Sequence, residues 1–464
     1  MMRKVEVAIL GAGSAGLFAL SQIKRQTDNY VLINGGELGT TCARVGCMPS
    51  KVLIQIAEDF HRKSLFEREG IDGGEELSMD IPAGMEHVQD LRDVFVDKTL
   101  GVTDALDETH LIDGYAKFIA TDTVDVNGEQ IKAEKIIIAT GSTPVIPADW
   151  QDFAEDIVTT DDFFELEDLP TSMAVIGLGS IGLEIGQSLA RLGVDIVGID
   201  LVSKLAKLDD DAINQQALAV FGKAFPLWLG DPVVLEKTAD GIRVSAGENT
   251  MVVEKIFASL GRRPNLDKLN LEATDIPLDT RGIPVYNPLT MQVGELPVFI
   301  AGDANADRPI LHEAGHEGRV AGYNAVHASI QAFKRKTPLA ITFCDPNIAV
   351  VGAALSTLNP AETVIGEMAF GPVGRALIMG KNRGLLRIYV NKKDGLLLGA
   401  SMFCVAGEHL AHLLCWSIEQ GLTVFDMLKM PFYHPVIEEA LQAALYNVLG
   451  KLDIKQEVVE LQKI

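Results

Sequence analysis

The fold class follows from the stretch VEVAILGAGSAG, residues 5–16. Its apolar run predicts a short buried strand, and Gly11, Gly13 and Gly16 follow with the spacing G-x-G-x-x-G. The run YVLIN then predicts a second strand that ends at Asn34. This order forms a βαβ dinucleotide fingerprint, in which the glycines let the backbone approach a pyrophosphate at the helix N-terminus. The alternative is a glycine turn that holds no ligand.

The same spacing recurs in residues 173–200, MAVIGLGSIGLEIGQSLARLGVDIVGID, through Gly177, Gly179 and Gly182. Asp200 ends the following strand, where an acidic side chain accepts a hydrogen bond from a ribose 2′-hydroxyl. A carboxylate repels a 2′-phosphate, so the second unit favours NAD over NADP, although the nearby Lys204 and Lys207 weaken this preference. In the first unit the same position is Asn34, which accepts a hydrogen bond but carries no charge. Two fingerprints imply two bound dinucleotides.

Between the fingerprints lies GTTCARVGCMPSK, residues 39–51, which contains Cys42 and Cys47. In a regular helix, residues five apart have Cα atoms roughly 8.6 Å apart, whereas a disulfide requires about 4.4–6.8 Å. A bridge therefore requires irregular backbone, which Gly46 and Pro49 favour. Apolar residues at helical spacing after Pro49 predict a helix whose N-terminus would stabilise a nearby thiolate. This spacing leaves a redox pair and two inert cysteines equally open.

Composition narrows the class of protein. The 464 residues predict about three domains, and the net charge of −24 argues against a surface that neutralises nucleic-acid phosphates. No apolar run reaches the roughly 18 residues of a membrane span, and Glu6 interrupts a start that could pass for a signal peptide. We therefore expect a cytoplasmic protein that binds neither nucleic acid nor membrane. The remaining cysteines lack metal-ligand spacing, so we predict no metal site and expect these side chains in the core: Cys344, Cys404 and Cys415.

The rest of the chain shows two kinds of pattern. KIIIATGSTP and VFIAGD are β-branched strands that end in glycine turns, at Gly141 and beside Asp303. From about residue 340, alternating segments such as LLRIYV predict an antiparallel sheet. Two amphipathic helices are predicted in GEHLAHLLCWSIEQ and HPVIEEALQAALYNVLG. Residues 65–100 are predicted to form a helical excursion with a connecting loop.

With these features the chain resembles the pyridine nucleotide–disulfide oxidoreductases, the flavoprotein group that includes dihydrolipoamide dehydrogenase, glutathione reductase and mercuric reductase. The resemblance covers essentially all residues, in the order of both fingerprints, C-x-x-x-x-C-x-P-S-K, ATG, GRRPN, AGD and HPVIEE. It implies an α/β fold with two Rossmann-like dinucleotide-binding domains and a C-terminal α+β dimerisation domain. The implied domains are 1–145 with 270–336 for FAD, 146–269 for NAD, and 337–464 for the interface. It also favours a redox disulfide over inert cysteines.

The resemblance assigns roles to single residues. Cys47 would face the flavin as its charge-transfer partner, and Cys42 would exchange with the substrate disulfide. His434 and Glu439 would reach this pair from the other subunit. Histidine titrates near neutral pH and suits the proton transfers of thiol exchange, while an acid orients its imidazole. The implied cofactor-binding residues are the six fingerprint glycines with Asn34, Lys51, Ala116, Gly141, Glu184, Asp200, Gly261, Asp303 and Leu311.

The sequence constrains the reaction chemistry more than it constrains the identity of the substrate. Three features argue against other members of the group. The chain lacks the C-terminal cysteine pair of mercuric reductases and keeps the paired thiols that soluble transhydrogenases lack. It also has Asp200 at the place where glutathione reductases have arginines. Dihydrolipoamide dehydrogenase remains: a homodimer that uses NAD to reoxidise a dihydrolipoyl group, for example on a component of a 2-oxo acid dehydrogenase complex. The alternatives are another NAD(P)H-dependent disulfide or quinone reductase and a non-enzymatic flavoprotein redox sensor.

Several positions depart from the pattern of the lipoamide enzymes and put the substrate in doubt. Arg44, beside Cys42, would favour an anionic disulfide or merely lower the pKa of the thiol. The pair before His434 is aromatic, whereas the lipoamide enzymes have HAHPTLSE at this place. The departures are Asn34, Thr40, Arg44, Cys344, Asn347, Phe432 and Tyr433.

Overall fold

The computed structural model describes residues 2–454 and 459–461. Its β-strands, in chain order, are β1 (Arg3–Leu10), β2 (Tyr30–Asn34), β3 (Leu111–Asp113), β4 (Ala116–Ala120), β5 (Thr123–Val126), β6 (Glu129–Ile138), β7 (Ser142–Pro144), β8 (Ile157–Val158), β9 (Ser172–Ile176), β10 (Asp195–Asp200), β11 (Leu227–Leu229), β12 (Val233–Thr238), β13 (Gly241–Ala246), β14 (Asn249–Val253), β15 (Lys255–Ala258), β16 (Arg262–Pro264), β17 (Val298–Ile300), β18 (Leu339–Thr342), β19 (Asn347–Gly352), β20 (Thr363–Ala369), β21 (Leu385–Asn391) and β22 (Leu397–Cys404).

The α-helices, in chain order, are α1 (Ser14–Ile23), α2 (Thr41–Val45), α3 (Cys47–His61), α4 (Phe66–Glu69), α5 (Ile81–Thr103), α6 (Thr160–Phe163), α7 (Ser180–Arg191), α8 (Asp211–Ala224), α9 (Leu311–Val326), α10 (Gly374–Ile378), α11 (Gly407–Glu419), α12 (Val424–Leu428) and α13 (Glu439–Leu449). None of the helices in residues 2–454 combines the length and the apolar character needed to cross a membrane.

The first sheet grows from the N-terminal fingerprint. Its order is β3-β2-β1-β6, all parallel, with β17 alongside the C-terminal half of β6 and the β4–β5 hairpin alongside its N-terminal half. Strands β1 and β2 are largely buried, as is typical of a parallel sheet covered on both faces. Helix α1 joins these two strands and packs closely on α9. The closeness is shown by Gly318 of α9, where a Cβ would lie only 2.2 Å from the carbonyl oxygen of Ala15 in α1.

The second parallel sheet repeats this construction. Its order is β11-β10-β9-β15-β8, and α7 joins β9 to β10 just as α1 joins β1 to β2. A small antiparallel sheet, β12-β13-β14, belongs to the same part of the chain. The antiparallel pair β7–β16 connects the two units. The prediction of two Rossmann-like units is thereby confirmed, whereas the predicted domain limits stay a prediction.

The C-terminal part is an antiparallel sheet with helices, as predicted. Its order is β18-β19-β22-β21-β20. Helix α11 packs on β19 and β22, and α13 packs on β20 and β21. Alternate residues of β21, such as Leu386, Ile388 and Val390, are fully buried in the core between these elements.

Two predicted helices begin at other residues than expected. Helix α3 begins at Cys47, two residues before Pro49, because the chain turns at Gly46 and a new helix can start directly after it. Helix α13 begins at Glu439 rather than at His434. The region 65–100 contains α4 and most of α5, which agrees with the predicted helical excursion.

A largely buried arginine, with 12% of its side chain exposed, fixes the segment that leads into the C-terminal sheet. Arg335 donates hydrogen bonds to Asp307 at 2.8 Å, to Glu313 at 2.8 Å and to Glu317 at 2.6 Å. Glu317 is fully buried, and it also accepts from the backbone amide of Gly302 at 2.8 Å. Burial raises the pKa of Glu317, and the amide and the guanidinium oppose this shift by stabilising the carboxylate. The arginine therefore compensates a charge that the fold has removed from water.

Replacing Arg335 by Met should lower the free energy of unfolding by about 3 kcal/mol, because it leaves the buried Glu317 without its partner. Urea unfolding measures the change. The matched control is Arg263→Met, which removes an exposed pair with Asp267 and should cost less than about 1 kcal/mol. Equal losses in the two variants would contradict the role of Arg335.

Candidate active site

A break between two helices brings the paired cysteines together. Helix α2 ends at Val45 and α3 begins at Cys47, and Gly46 between them has φ −135° and ψ −119°, far from helical values. Cys42 and Cys47 form a disulfide with their Cα atoms 4.8 Å apart. A Cβ at Gly46 would lie 2.9 Å from the carbonyl oxygen of Thr41, so a larger residue does not fit this turn. The irregular backbone that the sequence required is present, and the pair is a disulfide.

The disulfide lies at the start of a long helix. Cys47 is the first residue of α3, which continues for 15 residues to His61. The partial positive charge of a helix N-terminus stabilises an anionic sulfur and lowers the pKa of a thiol in this position. When the bridge opens, Cys47 is therefore the sulfur that this environment favours as a thiolate.

One turn further along α3, Lys51 forms an ion pair with a carboxylate from the second parallel unit. Its Nζ lies 2.7 Å from Oε2 of Glu184, whose side chain is only 6% exposed. The other oxygen of Glu184 accepts from the backbone amide of Phe343 at 2.8 Å. Lys51 also lies over the ring of Phe343, 4.6 Å from its centroid. The predicted Lys51–Glu184 pair is thus present, and Phe343 is a third member that sequence reasoning missed.

Glu184 belongs to a stripe of α7 that binds one segment of the C-terminal sheet. Four residues at helical spacing hydrogen-bond to residues 342–345, through the contacts of Ser180, Glu184, Gln187 and Arg191. Two of these four side chains, Glu184 and Gln187, are buried and so point into the chain rather than to solvent. The stripe fixes Glu184 and hence the direction of Lys51.

The glycines of the first fingerprint divide into two structural kinds. A Cβ on Gly11, which has φ 113°, would lie 2.3 Å from the carbonyl oxygen of Ala139, and one on Gly16 would lie 1.9 Å from that of Gly11. These two positions need glycine because the turn itself is tight. A Cβ on Gly13 would have no neighbour within 4 Å. The space above Gly13 is therefore available for a ligand that approaches the backbone.

The second fingerprint has the same geometry. A Cβ on Gly177, with φ 94°, would lie 2.2 Å from the carbonyl oxygen of Ser259, and one on Gly182 would lie 1.9 Å from that of Gly177. A Cβ on Gly179 would again meet nothing within 4 Å. Both turns thus leave an open cradle at a helix N-terminus, which suits the pyrophosphate of a dinucleotide.

The residue that ends the second strand of each unit holds its glycine turn. Oδ1 of Asn34 accepts from the amide of Ala12 at 3.0 Å, and Oδ2 of Asp200 accepts from the amide of Leu178 at 2.6 Å. The predicted ribose-binding positions are therefore equivalent in space and lie beside the cradles. They differ in that Asn34 also donates to the carbonyl of Gly36 at 2.9 Å, which a carboxylate cannot do.

The predicted flavin-site residue Asp303 follows Gly302, where a Cβ would lie 2.9 Å from the Cβ of Ala15 in the first turn of α1. Oδ2 of Asp303 accepts from the hydroxyl of Ser142 at 2.6 Å, and Ser142 accepts from Nε of Arg262 at 2.8 Å. Ser142 and Arg262 were not singled out from the sequence, although each is adjacent to a predicted glycine. The hydroxyl of Thr140 is buried and has no hydrogen-bond partner within the described residues.

Four of the residues predicted to bind a cofactor would contact it through their backbone rather than through a side chain. Gly141 and Gly261 have φ 70° and 98°, and a Cβ on either would meet nothing within 4 Å. Ala116 is buried at the start of β4, and Leu311 is exposed as the first residue of α9. The first turn of a helix has amides without intrahelical partners, so Leu311 offers a donor to a ligand.

His434 and Glu439 pair with each other but not with the disulfide of the same chain. Nδ1 of His434 lies 2.9 Å from Oε1 of Glu439, and Oε2 accepts from the amide of Val436 at 3.1 Å. The hydrogen bond with His434 holds the pKa of Glu439 below its usual range. The side chain of His434 is 80% exposed. The orienting pair is thus preformed on the surface of the C-terminal part.

The structure accounts for some of the positions at which the sequence departs from the family pattern. Arg44 forms an ion pair with Glu37, so its charge is already compensated, which weakens the prediction that it attracts an anionic substrate. Cys344 and Cys404 are buried, as predicted, and burial raises the pKa of both thiols. Cys415 is only partly buried.

The two open cradles can be tested separately. Gly13→Val should give folded protein without flavin, because the valine side chain fills the first cradle, and flavin absorbance of the purified protein measures this loss. Gly179→Val should retain the flavin but raise KM for NADH at least about tenfold, because it fills the second cradle. Normal flavin content in the first variant, or an unchanged KM in the second, would contradict this assignment of the cradles.

Comparisons with known proteins agree with this geometry. The family model described as pyridine nucleotide-disulphide oxidoreductase matches residues 5–332, and the model of its dimerisation domain matches residues 339–445. The chain is 30% identical over 462 residues to dihydrolipoyl dehydrogenase of Thermus scotoductus, across 96% of this chain and 97% of the relative. It is 28% identical over 468 residues to dihydrolipoyl dehydrogenase of Geobacillus stearothermophilus, across 96% and 97%.

Solved structures show the same fold. The HOCl-induced flavoprotein disulfide reductase RclA from Escherichia coli superposes with a TM-score of 0.82 at 21% identity, across 96% of this chain and 100% of that chain. LpdA from Mycobacterium tuberculosis superposes with a TM-score of 0.82 at 19% identity, across 95% and 99%. Because family models match both parts of the chain, this protein belongs to the pyridine nucleotide-disulphide oxidoreductases, a family of flavoproteins that use FAD and NAD(H).

Proposed function

We propose that this protein is an NAD-dependent dihydrolipoyl dehydrogenase, which oxidises a dihydrolipoyl dithiol to its disulfide. The observation that carries the proposal is the Cys42–Cys47 bridge in the break between α2 and α3. The full-length relatives carry the name of this activity. A disulfide that must open and close also fits the reducing cytoplasm, where structural disulfides are rare.

The residues of this chain then have separate tasks. FAD, when bound at the first cradle, supplies hydride and electron transfer between NAD and the cysteine pair. Cys42 exchanges with the substrate dithiol, and Cys47, at the N-terminus of α3, is held as the thiolate when the bridge opens. The Lys51–Glu184 pair places a compensated positive charge one turn away from Cys47.

We assign the first cradle to FAD and the second to NAD. Ser142 and Asp303 would offer polar groups to a ligand at the first cradle. Asp200 beside the second cradle carries a charge that disfavours a 2′-phosphate, and Lys204, which could have offset it, pairs with Asp211 at 2.9 Å. This assignment corresponds to FAD-binding segments 1–145 and 270–336 and an NAD-binding segment 146–269.

The dimerisation domain supports a homodimer, and we propose that the second subunit completes the site. His434 has no hydrogen bond to either cysteine of its own chain among the described contacts, yet it is exposed and already oriented by Glu439. In the dimer it would take a proton from the substrate thiol that attacks the bridge. The hydrogen bond with His434 lowers the pKa of Glu439, so its carboxylate protonates at a lower pH than that of an ordinary glutamate.

One observation favours a second candidate, a reductase for another small disulfide. Tyr433, 80% exposed, stands directly before His434 and puts an aromatic ring at the mouth of the site. A panel of free dihydrolipoamide, a lipoylated domain, glutathione disulfide and a quinone, scored by kcat/KM with NAD or NADH, distinguishes the candidates. The proposal requires the dihydrolipoyl substrates to exceed the others at least about tenfold. Turnover only with another disulfide or with the quinone would reject it. Absence of all turnover would point to a redox sensor.

Cys47→Ser should abolish dithiol turnover, because the remaining thiol cannot close a bridge. It should also abolish the long-wavelength absorbance of the half-reduced protein, which a titration with NADH records. Cys344→Ser, at a buried cysteine outside the bridge, is the matched control and should retain both signals. Retention of both by the Cys47 variant would refute the role of the pair.

His434→Gln should slow the reaction with dihydrolipoamide about 100-fold or more, because it removes the proton acceptor. Reduction by NADH, which does not need that proton transfer, should keep nearly its wild-type rate. Stopped-flow absorbance follows the two half-reactions separately. His409→Gln, at another exposed histidine of the C-terminal part, is the control. Wild-type rates for both half-reactions in the His434 variant would remove the proposed base.

A further inference from the structure

Thr40 has a backbone conformation that residues with side chains avoid. Its φ is 65° and its ψ is 144°. This lies outside the allowed regions for L-residues and close to a region used almost only by glycine, and a β-branched residue at positive φ is a clear outlier. Thr40 is the N-cap of α2 and lies two residues before Cys42. The strain is therefore located next to the sulfur that exchanges with substrate.

Packing around Thr40 contributes to holding it in this conformation. Its hydroxyl accepts from the amide of Ala43 at 3.4 Å, and Ala43 is buried. The preceding Gly39 packs against α5 so closely that a Cβ there would lie 2.9 Å from Val96. The stem of Arg44 lies against Gly39, 3.2 Å from the same Cβ position. Strained residues persist only where their surroundings fix them in this way.

The disulfide is one of these constraints. Helix α2 has only five residues, Thr41–Val45, and the bridge ties it to the first residue of α3. While the bridge is closed, α2 cannot shift along α3 to let Thr40 adopt an extended conformation. Opening the bridge removes a covalent tie two residues away from Thr40.

We propose that Thr40 is a positioning residue whose strained backbone favours the open dithiol over the closed disulfide. The step is the reduction of the Cys42–Cys47 S–S bond by two electrons and two protons to give two thiols, with the reductant oxidised in turn. Part of the strain at Thr40 is released in this step, so the cysteine pair is a stronger oxidant than it would be with glycine at position 40. The inference rests on the proposed function, in which the pair cycles.

The test is a redox titration of the flavin-loaded protein against dithiothreitol, whose two thiols close to a cyclic disulfide as the cysteine bridge opens. Alkylation and mass spectrometry give the fraction of open Cys42–Cys47 at each ratio. Thr40→Gly should shift the equilibrium about tenfold toward the closed bridge, which corresponds to about 30 mV. Thr40→Ser and Thr40→Ala keep the Cβ and should stay within about twofold of wild type.

Comparing Thr40→Gly with Thr40→Ala separates the effect of backbone strain from that of the N-cap hydrogen bond, because Thr40→Ala lacks the hydroxyl but keeps the strain. Ala406→Gly, at another residue with positive φ in the C-terminal part, is the matched control and should leave the equilibrium unchanged. An unchanged equilibrium in Thr40→Gly, or an equal shift in Thr40→Ala, would overturn the inference. A wild-type bridge that NADH fails to open in the same alkylation assay would instead overturn the proposed function.

Discussion

The interruption of the helix at Gly46 is the constraint on which the redox site depends. In a continuous helix the Cα atoms of two residues five apart lie roughly 8.6 Å from each other, whereas those of Cys42 and Cys47 are 4.8 Å apart. The same interruption makes Cys47 the first residue of α3 and places Lys51 one turn further on. The bridge, the helix terminus that stabilises a thiolate, and the lysine that meets Glu184 are thus consequences of one local backbone geometry.

The two nucleotide cradles result from a single steric rule applied twice. In each turn, two glycines are required because a Cβ would collide with a carbonyl oxygen, and the glycine between them faces open space. The tight pair explains the turn, and the open space beside the middle glycine leaves room for a ligand to approach the backbone. The side chain at the end of the next strand holds the turn in both units. The difference between Asn34 and Asp200 is therefore one of charge and donor capacity rather than of position.

Polar contacts between the sheets keep these local sites in register with one another. One stripe of α7 binds residues 342–345, so a residue of the second parallel unit, Glu184, is held against both α3 and the C-terminal part. Arg335 ties the connecting segment to three carboxylates of the first unit. The His434–Glu439 pair is preformed on the surface of the C-terminal part. The contacts of α7 and Arg335 connect the two parallel units and the C-terminal part within one chain.

The sequence by itself determined the features that depend on local spacing. The glycines of both fingerprints, the strands before them and the H-P-x-x-x-E segment could be recognised because each is set by neighbours within a few residues, and the order of these segments identified the family. The spacing of Cys42 and Cys47 left their state open, since their distance depends on the φ and ψ of Gly46, and it was the resemblance to the family that favoured a disulfide. Only the tertiary structure decided the contacts between distant residues, such as Ser142 with Asp303, 161 positions apart, and Phe343 with Glu184, 159 apart. It also paired Arg44 with Glu37 and gave Thr40 its strained backbone. The long-range contacts result from the way that the two parallel sheets and the C-terminal sheet pack, which no local pattern of residues encodes.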